Sequence, residues 1–121
     1  LNDGRRISYG TMGGEGQPQT QAAIFSRYVY QQKSLAESIS LGRWLLGRTW
    51  GDESHNLKIE QDLADEIQSE LSAKGHDIAL VGSRNELMGH AGAVVMRPDD
   101  NVSAATDPRS DGNAFAAHTY E

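Results

Sequence analysis

Four glycines fall within the seven residues Gly10 to Gly16, and no other stretch constrains the chain so tightly. Glycine reaches positive φ at little cost, so backbone rich in it can turn sharply or approach another group closely. Before the glycines, Arg5 to Tyr9 reads as a strand. After them, Pro18 suits the first turn of a helix, where its missing N–H has no helical partner to lose. From Gln19 to Lys33 the apolar residues Ala22, Ala23, Ile24, Phe25, Tyr28 and Val29 recur at helical spacing. The local order is therefore strand, glycine loop, helix.

Around this unit the pattern is mixed. Asn2-Asp3-Gly4 is a tight-turn signal whose preceding strand is almost wholly missing, so residues upstream of Leu1 are expected. Ser34-Leu-Ala-Glu37 matches a capping box and predicts a helix over Leu35 to Ser40. Arg43 to Trp50 and Leu57 to Glu60 read as strands. Asp62 to Lys74 reads as a helix carrying Leu63, Ile67 and Leu71 on one face, with Gly75 as its C-terminal cap. Asp77 to Val81, Leu87 to Met96 and Val102 to Ala105 are β-like, the last two separated by the turn-forming run Arg97-Pro-Asp-Asp-Asn101. Strands and helices look segregated rather than alternating, which favours an α+β fold in one domain spanning 1–121.

Composition narrows the function. A net charge of −6 disfavours nucleic acid, which needs clustered Lys and Arg to neutralise phosphates. No window approaches the run of apolar residues that crosses a bilayer. With no cysteine there are no disulfides, thiolate nucleophiles or cysteine-ligated metals, and either redox compartment fits. Apolar residues make up 37% of the chain, a content that lets a core be shared with a partner.

The candidate chemistry is sparse. Gly13-Gly14-Glu15-Gly16 lacks the Lys-Ser or Lys-Thr of a phosphate loop, and Glu15 would repel phosphate. Two readings remain for it: a tight strand-to-helix turn, or an oxyanion hole in which successive backbone N–H groups at a helix entrance converge on one spot. His55, His76, His90 and His118 have neither the i, i+4 pairing nor the acidic companions of a metal site. Ser8, Ser26, Ser83 and Thr11 lie in no activated-nucleophile motif. Trp44 and Trp50 are expected as core or interface aromatics. Asp107 and Arg109 are expected to form a local ion pair that fixes a turn.

Tyr9-Gly-Thr-Met-Gly-Gly-Glu-Gly-Gln-Pro-Gln-Thr20 resembles the glycine-pair loop of the γ-glutamyltranspeptidase family of N-terminal-nucleophile hydrolases. Ser34-Leu-Ala-Glu-Ser38, Arg43-Trp44, Met88-Gly-His-Ala91 and Ala105-Thr-Asp-Pro-Arg-Ser-Asp-Gly112 continue the likeness in order. The resemblance implies a four-layer αββα sandwich, of which this chain supplies the C-terminal part of the small subunit. It implies a proenzyme that cuts itself, after which a threonine at the new N-terminus attacks a γ-glutamyl amide such as that of glutathione. Gly13 and Gly14 would be the oxyanion-hole pair. The implied partners are a γ-glutamyl substrate and the rest of the small and large subunits, with no cofactor or metal. The nucleophile, the Ser-Ser pair that binds the substrate α-carboxylate and the large subunit's arginine are not in this sequence, so the chain by itself is expected to be inactive. Leu41-Gly42 stands where many relatives have Ala-Pro, and the Gly16-Gln-Pro-Gln19 extension resembles a less characterised branch. The alternatives are a related acylase acting on another side-chain amide, for example a cephalosporin's, and a non-enzymatic interaction domain on the same scaffold.

Overall fold

The computed structural model describes residues 1–49 and 51–117. Its strands form two three-stranded sheets. In the first, β1 (Arg6–Thr11) pairs with β5 (Ala91–Met96), and β5 with β6 (Val102–Thr106), all antiparallel. In the second, β2 (Trp44–Leu46) runs antiparallel to β3 (Leu57–Glu60), and β3 runs parallel to β4 (Ile78–Val81). Between β3 and β4 lies α3 (Gln61–Ala73), whose thirteen residues give the crossover that a parallel pair requires. The α+β class holds. This one β-α-β unit nonetheless alternates where the sequence reads as segregated, because residue patterning does not encode strand direction.

The first sheet carries the main core. Ala91, Ala93 and Val95 alternate inward along β5, as a two-residue period demands. They meet Ile24 of α1 (Gln17–Phe25), Tyr28, and Leu35 and Ile39 of α2 (Leu35–Ser40). Ile7, Tyr9, Val29 and Ala105 pack around this cluster. On the sheet's other face Val94, Met96 and Val102 are exposed. A second cluster, Leu57, Ile59 and Ala64 with Leu63, Leu71 and Ile78 around them, joins α3 to the second sheet.

Several expected boundaries move. The first helix starts at Gln17 rather than Gln19, and at Ser26–Tyr30 it widens into a π-helical turn that ends it before Lys33. The capping box forms, with the Glu37 amide donating to Ser34 Oγ at 3.1 Å and the Ser34 amide to Glu37 Oε2 at 3.2 Å. The strand expected over Arg43 to Trp50 shortens to Trp44–Leu46, since Gly47 at φ 88° turns the chain away. The strand expected over Leu87 to Met96 loses its start to a 3₁₀ turn (Glu86–Met88) and to Gly89 at φ 80°, and begins at Ala91. Trp44 lies on an edge strand and is partly exposed rather than in the core. Trp50 and His118 lie outside the described residues.

Candidate functional site

The glycine loop leaves the first sheet at the last pair, Thr11 opposite Ala91. Met12 extends the contact by donating its N–H to the His90 carbonyl at 3.3 Å. The chain then takes φ 129° at Gly13 and φ 57° at Gly14, a succession that side-chain-bearing residues rarely adopt. A 3₁₀ turn over Gly14–Gly16 follows, closed by the Gly16 amide on the Gly13 carbonyl at 3.1 Å, and delivers the chain into α1. Among the described residues the N–H groups of Gly13 and Gly14 have no hydrogen-bond acceptor. They are adjacent donors at a helix entrance.

A second glycine turn braces this loop. A Cβ on Gly13 would sit 3.4 Å from Gly89 Cα, and a Cβ on Gly89 would sit 2.2 Å from the Met12 carbonyl oxygen. Backbone lies on backbone here, and glycine at both places permits the approach. The bracing turn is itself held from behind: buried Thr20 donates its hydroxyl to the Met88 carbonyl at 3.1 Å, and Arg43 Nη2 donates to the Gly89 carbonyl at 2.9 Å.

Arg43 opens onto a buried ionic network that the sequence reading missed. Its guanidinium also pairs with Asp107 Oδ2, which accepts the Ala91 amide at 2.8 Å. Asp107 Oδ1 accepts the Arg109 amide and Arg109 Nη1, each at 3.0 Å. Arg109 Nε donates to Glu60 Oε1 at 2.7 Å, its Nη2 pairs with Oε2, and it reaches the carbonyls of Ile39 and Leu41. Glu60 in turn accepts the amides of Arg43 at 2.9 Å and Asn85 at 2.8 Å. The side chains of Asp107, Glu60 and Arg109 are 0% exposed. Nearby, Arg27 caps the carbonyls of Leu41 and Gly42. The expected Asp107–Arg109 pair forms and holds its local turn, where the Ser110 amide also donates to the Asp107 carbonyl at 3.1 Å, and the two side chains reach further to residues 49 and 64 positions away.

The network polarises its members. Burial raises the Asp107 carboxyl, but the Ala91 amide, the Arg43 charge and the Arg109 amide outweigh it and hold the group below the usual aspartate value. Burial lowers Arg43, and the neighbouring Arg109 charge lowers it further. Nε and Nη1 of Arg43 are buried and unpartnered among the described residues. Lys58 is a further buried cation, beside Arg27, Arg43 and Arg109. Its Nζ donates to the Gly47 carbonyl and Asn56 Oδ1 at 2.8 Å each and lies 3.3 Å from Asp52.

Two clefts flank the glycine pair. One of about 220 Å³ is lined by Met12, Gly13, Thr49, Glu86, Leu87 and His90. The other, about 550 Å³, is lined by Gly14 and Glu15 from the loop and by Arg48, Thr49, Gly51, Asp52 and Glu53. Across the second, Arg48 Nε meets both Glu15 carboxylate oxygens at 2.9 Å and Nη2 meets Oε1 at 2.7 Å. Among the described residues no three His, Cys, Asp or Glu side chains gather as metal ligands.

The gamma-glutamyltranspeptidase family model matches residues 1–117. The chain belongs to that family. It is 54% identical over 114 residues to the oxamate amidohydrolase proenzyme of Klebsiella pneumoniae, covering 94% of this chain and 22% of that protein. To the glutathione hydrolase-like YwrD proenzyme of Bacillus subtilis it is 41% identical over 109 residues, covering 90% of this chain and 21% of that one. The chain thus spans about a fifth of the length of these curated relatives. Among solved structures it superposes on the Bacillus anthracis transpeptidase CapD with a TM-score of 0.78 at 26% identity, covering 95% of this chain and 66% of that chain. The cephalosporin acylase of Bacillus halodurans shares the fold, with a TM-score of 0.80 at 21% identity over 93% of this chain and 20% of that one.

Proposed function

We propose that this chain is the C-terminal part of the small subunit of an autoprocessing amide hydrolase or acyltransferase, and that Gly13 and Gly14 form its oxyanion hole. The observation that carries the reading is the pair of adjacent N–H groups, without an acceptor among the described residues, on a loop whose backbone is braced by Gly89. In the complete protein a threonine outside this sequence attacks the substrate's amide carbonyl, and its own α-amino group takes the hydroxyl proton. The carbonyl oxygen gains negative charge and receives hydrogen bonds from the two glycine amides. Collapse expels the amine, which leaves with the proton, and an acyl ester remains on the threonine. Water or an acceptor amine then releases the acyl group. Donors fixed in advance stabilise the developing charge without reorganising.

The substrate class suggested by the family is a γ-glutamyl amide such as glutathione. The 54% identity to a protein named for oxamate favours a second reading, in which the acyl part is shorter and its carboxylate sits next to the scissile amide. The partners are the remaining small-subunit segments and the large subunit, with the exposed Val94, Met96 and Val102 face of the β1-β5-β6 sheet covered by a further sheet formed by those segments, outside this sequence.

Gly14→Ala in the complete protein tests the proposal. A Cβ at φ 57° disturbs an N–H whose hydrogen bond strengthens only as the oxyanion forms, so kcat should fall roughly 10²–10³-fold with little change in KM. Normal turnover per correctly processed, folded molecule would remove the glycine pair from the site.

A further inference from the structure

We propose that Arg48 is a carboxylate-recognising residue of this site, and that Glu15 occupies its guanidinium fork until an acyl group bearing its own carboxylate displaces it. The inference rests on the reading that Gly13 and Gly14 hold the acyl oxygen.

Arg48 is the sole cation among the described residues lining the cleft that opens beside Gly14. Of the acids there, Asp52 is engaged by Lys58 at 3.3 Å and by the Ser54 amide at 2.8 Å. An anionic ligand entering this cleft therefore finds one cationic side chain among the described residues, with Glu53, which is exposed, as the further acid in the lining. The backbone on both sides of Arg48 is fixed. The buried Lys58 ammonium and the Asn56 carbonyl hold Gly47, and Thr49 exchanges both backbone hydrogen bonds with Asp52, at 2.9 and 3.1 Å. The guanidinium itself stands 59% exposed, ready for exchange.

Its present partner shows what it accepts. Nε donates to Glu15 Oε2 and Nη2 to Oε1 side by side, the two-pronged geometry in which arginine binds carboxylates most specifically. Gly14, Glu15 and Arg48 line the same cleft, so a carboxylate in place of Glu15 shares that cleft with one of the acyl-oxygen donors. Displacement costs little, because an ion pair this exposed on both sides contributes next to nothing to folding. Glu15 also acts as a filter: uncharged acyl groups do not compete for the fork, and anionic ones do.

The experiment measures kcat/KM of the complete, processed protein for monoamides of dicarboxylic acids and for the matching uncharged acyl amides, and follows their ratio. Arg48→Ala should lower the anionic-to-neutral ratio about 10- to 100-fold. Arg48→Lys, which keeps the charge and loses the fork, should restore part of it. Glu15→Gln should move the ratio the other way, raising it several-fold. If the pair is only a strut between two loops, breaking it from either side gives the same result, so a fall in both Arg48→Ala and Glu15→Gln overturns the proposal. An unchanged ratio in Arg48→Ala overturns it as well. Intact mass separates this from the parent reading: if no amide leaves an acyl group on the processed wild-type chain, the amidase reading itself fails. Acylation with an Arg48-independent ratio defeats only the role given to Arg48.

Discussion

Replacing Asp107 by asparagine keeps the shape of the side chain and removes its charge. Oδ1 can still accept the Arg109 amide and Nη1. The other end becomes an NH₂ group facing two donors, the Ala91 amide and Arg43 Nη2. Flipping the amide only transfers the conflict to Arg109. Arg43 and Arg109 are left sharing Glu60 as their remaining buried counter-charge. Removing one partner from a buried ion pair costs about 3–5 kcal/mol, because the survivor stays buried without compensation. With an unfolding entropy of about 2.1 cal/mol/K per residue, a cooperative unit of 121 residues loses ~12–20 °C in Tm. Thermal unfolding of wild type and Asp107→Asn, by calorimetry at pH 7, measures this directly. A fall of less than about 4 °C, or about 1 kcal/mol at this chain length, would refute the reasoning. It would mean that water reaches the network or that desolvation cancels the ionic attraction.

The same carboxylate makes the fold acid-labile. The folded state holds Asp107 below its unfolded value, so its contribution is complete above the ordinary aspartate range near pH 4 and drains away as pH falls toward the folded pKa. Urea midpoints taken downward from pH 5 should drop more steeply in wild type than in Asp107→Asn. Gly89→Ala places a Cβ 2.2 Å from the Met12 carbonyl at φ 80°, so backbone must move, and a loss of about 3 kcal/mol or more should accompany reduced turnover of the remaining folded protein. Ser34→Ala removes the hydroxyl that accepts the Glu37 amide and should cost about 1 kcal/mol while leaving kcat alone, measured on the same samples.

Local signals were legible where local physics decides. The capping box, the Leu63-Ile67-Leu71 face of α3 and the turn at 97–101 form close to where residue patterns place them. The glycine loop was legible as a bend, and its lack of acceptors needed coordinates. Three features resisted for one reason: each depends on a partner remote in sequence. Strand β3 is buried at every position, and nothing in its residue pattern shows that Asn56 and Gly47 receive Lys58 or that Arg109 receives Glu60. Arg43 shows no sign of its tie to a residue 64 positions on. The early end of β2 follows from Gly47 at positive φ and from Arg48 reaching back 33 positions to Glu15, and a strand propensity scan senses neither.

The span of the ionic network also sets an order of events during synthesis. Arg43 and Glu60 leave the ribosome well before Asp107 and Arg109, and at about 5–20 residues per second a gap of 64 residues lasts ~3–13 s. Through that interval Arg43 remains hydrated, since burying a guanidinium without its counter-ion is costly. Helices α1 and α2 can form, but the ground between the two sheets cannot dry. The Asp-Pro-Arg segment therefore acts as a keystone in time as well as in space, and the Gly89 turn, with the Gly13-Gly14 loop resting on it, takes its final position only when this late segment arrives.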